Sequence, residues 1–585
     1  MIGAGARPAR WRLDALPAGA TAGELRARSR AFATLDPAAM DAGKLAVALD
    51  ELGELRAALQ LQSARVELPL LLDEEDEDAH RRAADLDALL DDVESAVRPF
   101  ELAWVTVSDE RAGRLLADER LARHRHYLER ARCFAAHVLS DHDEDLLAAR
   151  DHAAQDAWER LYEHVTSTIR TSRPGCDPRS LNAAVDDLQS PSAGGRRTAL
   201  ADIHDGVGPH AELLARCVDA LIVDRLALDD LRGFAHPRAE TDLENDLRAG
   251  TVEALLAAVE HHRPLLRRWN ETKAGLLGLD ELGAADEFAP VPGLPALGYA
   301  QALRTVAAAF AAISPDLGEL VLELDRSGHI DAQARPRKRG VATCVSAGAA
   351  TLPFVSLTFD GRPGETLTLA HEIGHAVHYA LAARNQTALD YDPSPPVAET
   401  AAVFAELLVL RHLGAQDEEL RRVAAAQHMD FVARNVFRQA MITRFEAAAY
   451  AARAAGEVLT APRLTDLWLQ ARRWLHGDTP IATDELGWAL VPHYVHHRFY
   501  NYAYAFAALT ATGMLGRWQA APQRFGTRYR AFLATGGAAS PAQLLTGLGL
   551  DPDSSWDAML AGLGPVHDEL AAGAERKQPA RHAAA

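Results

Sequence analysis

Two histidines and a glutamate stand at metal-binding spacing between His371 and His375, in the sequence HEIGH. Apolar residues recur at helical spacing around them (GETLTLAHEIGHAVHYALAA), which predicts an α-helix. Residues four positions apart lie on the same helix face, so the two imidazoles can bind one zinc ion at about 2.0–2.1 Å. Glu372 lies about 100° further round the helix, where it can contact a water on that ion and act as general base. The alternative is a structural helix that carries two histidines without a metal.

A catalytic zinc ion usually has three protein ligands and one open position. Glu399 follows His375 by 24 residues, which allows for the rest of the first helix, a loop (DYDPSPP) and the start of a second helix. We therefore predict that Glu399 is the third ligand. Glu406 lies two turns further along the same helix face and is a candidate to orient a ligand histidine. The alternative for Glu406 is a surface acid on an amphipathic helix.

Histidines and tyrosines are concentrated in residues 488–509 (WALVPHYVHHRFYNYAYAFAAL), which contain three histidines and four tyrosines. Hydrolysis of an amide builds negative charge on the carbonyl oxygen, and tyrosine hydroxyl or imidazole N–H groups are suitable donors to it. Some of these aromatic side chains are expected simply to pack between helices. The segment is therefore a candidate for substrate binding and for stabilisation of an oxyanion.

The elements that must position these residues are mostly helices. Helical periodicity extends over residues 21–171, 196–278 and 364–563. Three short runs are predicted strands that form a small sheet just before the histidine-containing helix. These runs are residues 320–325 (LVLELD), 340–348 (GVATCVSAG) and 352–360 (LPFVSLTFD).

Breaks in the pattern suggest three regions. The segment Gln189–Gly195 (QSPSAGG) is the strongest break in the first half of the chain. We place a boundary there, between an N-terminal helical region (residues 1–190) and a metallopeptidase catalytic region (residues 191–570). Residues 571–585 (AAGAERKQPARHAAA) are predicted to be a disordered tail.

Composition excludes several kinds of partner. The chain has 585 residues and a formal net charge of −21, so we expect neither nucleic acid nor an anionic membrane to bind. Peptides without excess negative charge are expected to be tolerated best. The chain has no signal-peptide pattern and no apolar run of transmembrane length, which predicts a cytoplasmic location. The four cysteines, Cys133, Cys176, Cys217 and Cys344, are too far apart for a Cys-x-x-Cys metal site and too few for a disulfide framework.

Several segments together resemble the M3 metallopeptidases, and within them the oligoendopeptidase F branch. The resemblance covers roughly residues 10–565. The segments that carry it are LSDHDEDLLAARDHAAQDAWERLYEHVTS, RRWNETKAGLLGLDELGAADEFAP, IDAQARPRKRGVATC, TLAHEIGHAVH and PPVAETAAVFAELL, followed by the Tyr/His-rich segment. Two positions depart from the family pattern: Ala402 stands where relatives often have Ser, and Thr358 where they often have Asn. These departures put substrate preference, rather than activity, in question.

The resemblance implies a fold and roles for particular residues. It implies a mainly α-helical, large ellipsoid with a deep substrate groove, a single zinc ion at its floor and a small β-sheet beside the zinc helix. The run PFVSLTF is our candidate for an edge strand that binds an extended peptide by main-chain hydrogen bonds. The resemblance also implies that His493 and Tyr502 bind substrate and stabilise the tetrahedral intermediate. Further candidates for substrate binding are Tyr500, Tyr504, His496 and His497.

The sequence thus predicts a zinc-dependent endopeptidase (EC 3.4.24) that hydrolyses internal bonds of short oligopeptides. One alternative is a helical zinc metallocarboxypeptidase with the same ligand logic. Another, of a different class, is a catalytically silent peptide-binding protein. A nucleotide-dependent enzyme is disfavoured because the chain has no G-x-x-x-x-G-K-[ST] motif. The sequence does not predict an oligomeric state.

Overall fold

The computed structural model describes residues 9–151, 153–171, 177–551 and 555–577. Helices dominate this part of the chain and the strands are only two or three residues long. The prediction of a mainly α-helical protein with a small sheet is therefore confirmed. Within the described residues, the helices lack the combination of length and apolar character that spanning a bilayer requires.

Within the described residues, seven α-helices lie in the N-terminal part of the chain. They are α1 (Ala22–Arg30), α2 (Ala42–Leu72), α3 (Glu77–Val105), α4 (Asp109–Leu116), α5 (Arg125–Cys133), α6 (Asp141–Asp151) and α7 (Gln155–Thr168). The acidic run between α2 and α3 supplies a helix cap, since Asp76 Oδ1 accepts hydrogen bonds from the N–H groups of Asp78 and Ala79, both at 3.0 Å. Most of the buried apolar side chains between residues 25 and 128 form a cluster of their own, while the C-terminal part of α2 packs against the region of residues 345–354.

The middle of the chain begins with a two-stranded antiparallel ribbon, β1 (Arg170–Thr171) with β2 (Arg179–Ser180). Cys176, between these strands, lies outside the described residues, and the other three cysteines are free thiols. Eight helices follow. They are α8 (Leu181–Asp186), α9 (Ala193–Val207), α10 (Ala211–Arg232), α11 (Ala239–Glu244), α12 (Thr251–His261), α13 (Arg263–Leu277), α14 (Tyr299–Ala311) and α15 (Pro315–Arg326).

The strand predicted for residues 320–325 is wrong, because these residues belong to α15. The buried positions Leu317, Leu320, Val321 and Leu324 recur at helical spacing. Pro315 stands at the first position of the helix, where its missing N–H costs nothing. The run LVLELD alone was too short to distinguish a strand from one buried face of a longer helix.

The sheet before the histidine-containing helix has three strands, β3 (Ile330–Asp331), β4 (Thr343–Val345) and β5 (Phe354–Ser356). The strands predicted within residues 340–348 and 352–360 are therefore confirmed. The expectation that PFVSLTF is an edge strand is wrong. Strand β5 lies in the middle, parallel to β3 and antiparallel to β4, so both of its edges are already paired. Its three residues are all buried, as expected of a central strand, and β4 is an edge of this sheet.

Eleven further α-helices follow in the part of the chain that the structure describes. They are α16 (Glu365–Asn385), α17 (Pro395–Gly414), α18 (Glu418–Val432), α19 (Arg438–Ala454), α20 (Ala461–His476), α21 (His493–His496), α22 (Asn501–Ala520), α23 (Pro522–Thr535), α24 (Pro541–Leu548), α25 (Ser555–Ala561) and α26 (Gly564–Lys577). A π-helical turn, Ala433–Phe437, joins α18 to α19. The tail predicted from residue 571 begins inside α26, and residues 578–585 lie outside the described residues.

The largest hydrophobic cluster extends from Tyr162 to Leu570 and surrounds the helices that carry the candidate site. Helix α17 packs against both α16 and α22, so the three helices form one layer of this core. The side chain of Gln60, on α2, donates a hydrogen bond to the hydroxyl of Tyr391, in the loop between α16 and α17. The N-terminal helices therefore contact the chain close to the predicted metal ligands.

Candidate metal centre and active site

The turn before α16 is held by the side chain of Glu365, the first residue of the helix. The carboxylate of Glu365 accepts hydrogen bonds from the N–H groups of Asp360, Gly361 and Arg362 at 2.7–3.0 Å. Gly364 precedes the helix with a φ of 98°, a conformation that favours glycine. This turn sets the register of the helix and thus the direction in which His371 and His375 point.

Helices α16 and α17 approach each other closely at Gly374. A Cβ atom at this position would lie 2.6 Å from Cα of Ala402 and 2.9 Å from the carbonyl oxygen of Ala401. The absence of a side chain therefore permits backbone contact between the two helices. Two prolines, Pro395 and Pro396, occupy the first positions of α17 and place Glu399 one turn into it.

The structure brings His371, His375 and Glu399 together. One potential ligand atom from each lies within 4.8 Å of those from the other two. Nε2 of His371 is 3.6 Å from Oε2 of Glu399, and the two imidazole rings are perpendicular, with centroids 4.9 Å apart. Ligand atoms on one tetrahedral zinc ion are about 3.4 Å apart, given metal–ligand distances of about 2.1 Å. The three groups thus have the spacing that a single ion requires.

Buried polar atoms at this position also fit a cation. Among the described residues, Nδ1 of His375 and Oε2 of Glu399 are buried and form no hydrogen bond. Such atoms are costly unless something satisfies them. Burial lowers the pKa of His375 well below its ordinary value, which keeps the imidazole neutral and able to bind a metal. Two imidazoles and a carboxylate are a donor set typical of catalytic zinc.

Glu406 contacts the first histidine, as the sequence suggested. Nδ1–H of His371 donates a hydrogen bond of 2.8 Å to Oε1 of Glu406, which leaves Nε2 directed towards Glu399. Burial opposes the charged form of His371, but this hydrogen bond and the nearby carboxylates outweigh it and raise the pKa to about 9. A carboxylate in this position fixes the orientation of the ring and increases its basicity as a ligand.

Glu372 is almost completely buried, at 6% exposure, between the metal-binding face and the sheet. Burial raises its pKa to about 7; the charge of His371 opposes the shift, and the carboxylates of Glu399 and Glu406 add to it. A carboxyl group that titrates near neutral pH can both accept and return a proton. Burial raises the pKa of the Cys344 thiol, on β4, and the charge of Glu372 adds to the shift, so β4 lies beside this group.

His493, Tyr500 and Tyr504 form a cluster next to the metal-binding face. Nε2 of His493 is 3.2 Å from the hydroxyl of Tyr504, and its ring stacks on Tyr500 with centroids 5.8 Å apart. The hydroxyl of Tyr500 lies close enough to Glu399 to oppose the rise in pKa that burial causes in this carboxylate, so the cluster adjoins the candidate metal ligands. Burial lowers the pKa of His493 to about 4, so this imidazole is neutral at pH 7.

Tyr502 is not part of this cluster. Its side chain is fully buried; its hydroxyl accepts a hydrogen bond of 2.7 Å from Asn245 Nδ2 and donates one of 3.3 Å to the carbonyl of Thr241. Tyr500 directly precedes α22 with helical backbone angles and shares a face with Tyr504, four residues later, whereas Tyr502 points to the other side. The structure therefore does not bring the predicted Tyr502 to His493, but brings the two further candidates there instead.

His496 also points away, towards α7. Its ring nitrogens lie 3.4 Å from Glu159 and 3.6 Å from Glu163, and the hydrogen bond to Glu159 raises its pKa. The ring centroid of His497 is 5.9 Å from that of Tyr500. Of the three histidines in this segment, His493 is the one with contacts to both tyrosines of the cluster.

Sequence reasoning missed the groups that hold α21 and the loop that joins it to α22. Arg225, on α10, donates hydrogen bonds to the carbonyls of Tyr494 and Val495. Glu446, on α19, accepts the N–H of Phe499 at 2.8 Å, and Phe499 has the uncommon φ of 56°. Nothing in the local sequence pairs Arg225 or Glu446 with a loop that is 50 to 270 residues away, so no sequence signal was available.

Sequence reasoning also missed Tyr379, although in this case the sequence carried a signal. Tyr379 lies four residues after His375 on the same helix, and the two rings stack with centroids 6.3 Å apart. On its other side, the ring of Tyr379 packs against that of Tyr391, with the ring centroids 6.0 Å apart. The i, i+4 spacing that identified the two histidines also places Tyr379 on the metal-binding face.

Comparison with known proteins identifies the family. The sequence model of peptidase family M3 matches residues 322–564, which include the candidate metal ligands and the Tyr/His cluster. The sequence model described as oligopeptidase F matches residues 104–170. The chain belongs to peptidase family M3. The resemblance predicted from the sequence motifs is confirmed.

Relatives of this M3 peptidase share most of its length. It is 24% identical over 468 residues to the oligoendopeptidase F homolog of Lactococcus lactis subsp. lactis, which covers 78% of this chain and 77% of the relative. It is 23% identical over 455 residues to oligopeptidase PepF of Bacillus subtilis, covering 75% and 67%. Its fold matches that of oligoendopeptidase-F from Enterococcus faecium with a TM-score of 0.70 at 19% identity, covering 95% and 98% of the two chains.

The protein is therefore a peptidase, and its substrates are peptides. Peptidases of family M3 are metallopeptidases, and His371, His375 and Glu399 are the candidate metal-binding group. The identity of the metal and the role of each side chain go beyond these comparisons and depend on the geometry described above.

Proposed function

We propose that this M3 peptidase is a zinc-dependent endopeptidase that hydrolyses internal bonds of short oligopeptides. The single observation that carries the proposal is the convergence of His371, His375 and Glu399 within 4.8 Å, with buried ligand atoms that lack other partners. The donor set of two imidazoles and one carboxylate favours zinc, one ion per chain. When bound, the ion would polarise the scissile carbonyl and lower the pKa of the attacking water.

Glu372 is the proposed general base. Its carboxylate accepts a proton from the water as the water oxygen attacks the carbonyl carbon. It then passes the proton to the leaving nitrogen as the C–N bond breaks. The raised pKa of Glu372, about 7, supports this role because both protonation states are accessible near neutral pH. Its burial keeps bulk water from competing for the proton.

His493, Tyr500 and Tyr504 are the proposed donors to the oxyanion. The contacts of these three side chains with one another and with Glu399 support the assignment. Neutral imidazole and tyrosine hydroxyl groups keep an N–H or O–H proton at neutral pH. They can therefore donate a hydrogen bond to a developing negative charge. We replace Tyr502 by Tyr504 in this proposal, since the hydroxyl of Tyr502 already pairs with Asn245.

Short peptides are the proposed substrates. The ligand side chains are only partly accessible, with His371 25% and Glu399 13% exposed, which favours a thin, extended chain over a folded protein. The free edge of β4, next to Glu372, is suited to main-chain pairing with such a peptide. The relatives named oligoendopeptidase F support internal cleavage. A deep groove and a cytoplasmic location stay predictions of the sequence.

The proposal is tested with fluorogenic peptides and metal analysis. The purified protein is expected to contain one zinc ion per chain, to lose activity with a chelator and to regain it with zinc. Glu372→Gln is expected to keep the zinc while kcat falls by about 100-fold or more. The exposed Glu281→Gln is a matched control that should keep full activity. If Glu372→Gln cleaved peptides at the parental rate, the assignment of the general base would be wrong.

The same preparation separates the alternatives. Cleavage within a peptide that is blocked at both ends would support an endopeptidase, whereas a carboxypeptidase requires a free C-terminus. A protein that binds zinc and peptide but hydrolyses neither blocked nor free peptides would be the silent binding protein. Cobalt or manganese in the purified protein, in place of zinc, would correct the choice of metal.

A further inference from the structure

A second group of metal-ligating side chains lies outside the candidate active site, at the junction of α12, α13 and α25. Nδ1–H of His261 donates a hydrogen bond of 2.6 Å to Oδ1 of Asp557. Nε2–H of His262 donates one of 3.0 Å to the same oxygen. Like the candidate catalytic ligands, the three donor atoms all lie within 4.8 Å of one another. This pattern brings two imidazoles and a carboxylate together from positions almost 300 residues apart in the chain.

The backbone on both sides of the group is firmly held. His261 is the last residue of α12, and His262 immediately precedes α13, so the two rings leave the chain where it turns. On the opposite side, Trp556 precedes Asp557 and is 1% exposed, with its ring 5.1 Å from that of Phe506. Val259, at the end of α12, is completely buried. Core packing therefore fixes the separation of the two helix ends, and only the side chains need to adjust.

The charges around the group favour a cation. Within the described residues, the ion pairs of Asp557 are with His261 and His262 and not with lysine or arginine. The hydrogen bond from His261, followed by that from His262, lowers the pKa of Asp557, so the carboxylate stays ionised. The neighbouring charges of Glu260 and Arg263 pair with each other at 3.8 Å, and Glu260 also accepts a hydrogen bond of 3.3 Å from Trp474.

We propose that His261, His262 and Asp557 bind a second divalent transition-metal ion, of the zinc class, that links α25 to the junction of α12 and α13. On binding, the proton on each facing ring nitrogen would move to the other nitrogen of the same ring, and the ion would take its place. The donor separations of 2.6 and 3.0 Å would open to about 3.4 Å. This requires side-chain rotation and a change of tautomer.

The second site is expected to be weaker than the catalytic one. Its side chains are more exposed, with His261 at 72% and Asp557 at 55%, and solvent competes more strongly for each ligand. The catalytic His371 has Glu406 to orient it, whereas the second site depends on Asp557 alone. A bound ion would stabilise the C-terminal helices by holding α25 in place, without any contact with substrate.

Calorimetric titration of the holoenzyme tests the proposal. Protein that already contains one zinc ion per chain is titrated with zinc, and the wild type is expected to bind one more ion. The double variant His261→Gln/His262→Gln and the variant Asp557→Asn should each weaken this second event by at least about tenfold. The exposed His164→Gln is the matched control and should bind as the wild type does.

Thermal unfolding supplies a second readout. Excess zinc should raise the Tm of the wild type and of His164→Gln, but not that of the ligand variants. All variants should keep the peptidase activity of the parent, which shows that they are folded and that the first site is intact. A wild type that binds only one ion, or ligand variants that still bind two with unchanged affinity, would overturn the proposal. Neither result depends on the proposed catalytic mechanism.

Discussion

At the scale of single residues, the candidate site is a chain of contacts in which each group limits the freedom of the next. Glu406 holds His371, whose free nitrogen faces Glu399, and Tyr500 lies beside Glu399. Tyr504 and His493 complete the chain. An active site depends on such fixed orientation, because a ligand that rotates must be ordered again in each catalytic cycle.

The three tyrosines at the start of α22, Tyr500, Tyr502 and Tyr504, supply the first test at this scale. Tyr504→Phe and Tyr500→Phe are each expected to lower kcat by about 10- to 100-fold, since a donor near the oxyanion is lost. Tyr502→Phe is the matched control, with the same atom removed two residues away. It should leave kcat unchanged but cost about 1–3 kcal/mol of unfolding free energy, because Asn245 loses a buried partner. A fall in kcat for Tyr502→Phe alone would restore Tyr502 as the oxyanion donor.

Spacing along one helix predicted part of this site and could not predict the rest. The i, i+4 relation of His371 and His375 defines a shared face whatever surrounds the helix. The relation among Tyr500, Tyr502 and Tyr504 required a decision about which face meets the metal, and almost every residue of α22 near them is buried. A helix that is apolar on all sides has no periodic signal to settle its orientation, so the choice of Tyr502 depended on resemblance alone.

At the scale of elements, the decisive feature is the contact of α16 with α17. The first helix carries two of the proposed ligands and the second carries the third, so the distance between the helices sets the size of the candidate site. The sequence indicated both helices and the turn between them. It did not indicate how closely they approach, because that depends on Gly374 meeting Ala401 and Ala402. Small residues at a helix crossing become informative only when the crossing partner is known.

Gly374→Ala tests this contact. The added methyl group would meet backbone atoms of α17 at 2.6 and 2.9 Å, so the helices must separate. We expect a loss of about 1–3 kcal/mol in unfolding free energy together with weaker zinc binding, measured by competition with a chelator. Gly275→Ala, in α13, is the control, since no atom lies within 4 Å of its new methyl group. That variant should be neutral or more stable by up to about 1 kcal/mol. Unchanged zinc affinity in Gly374→Ala would show that the site tolerates helix separation.

The loop between α21 and α22 supplies a prediction about pH. Burial raises the pKa of Glu446 to about 8, whereas in the unfolded chain it titrates near its ordinary value of about 4.3. Between these values the folded protein retains a proton that the unfolded chain has lost. The stabilising contribution of Glu446 is therefore complete below pH of about 4.3 and is lost as the pH rises through about 8.

Glu446→Gln removes this titration while keeping an oxygen that accepts the N–H of Phe499. The unfolding free energy of the variant, relative to the wild type, is expected to rise by about 2 kcal/mol between pH 6 and pH 8. Urea unfolding of both chains at several pH values measures it, and the other titrating groups cancel in the difference. A difference that is constant with pH, or that falls, would contradict the assigned ionisation of Glu446.

At the scale of the whole molecule, composition made predictions that no single contact expresses. The excess of 82 acidic over 61 basic side chains gives a negative field that extends beyond the surface. Helical periodicity predicted the fold class, since a chain of this length with so many amphipathic segments must pack helices on helices. The order of the strands in the small sheet was not predictable, because β3 and β5 pair across more than 20 residues that carry no pairing signal.

The net charge of −21 leads to a prediction about substrates and salt. Three peptides identical around the cleaved bond would carry two Lys, two Gln or two Glu residues at their ends. At an ionic strength of about 0.01 M, where screening extends over about 30 Å, kcat/KM should decrease in that order. Raising the salt to about 1 M shortens this length to about 3 Å, and the three values should converge. The Gln peptide serves as the control, with little dependence on salt.

A preference for Lys that persists at high salt would indicate instead a specific carboxylate contact in the site. Equal kcat/KM values for the three peptides at both salt concentrations would show that the field does not reach the path of the substrate.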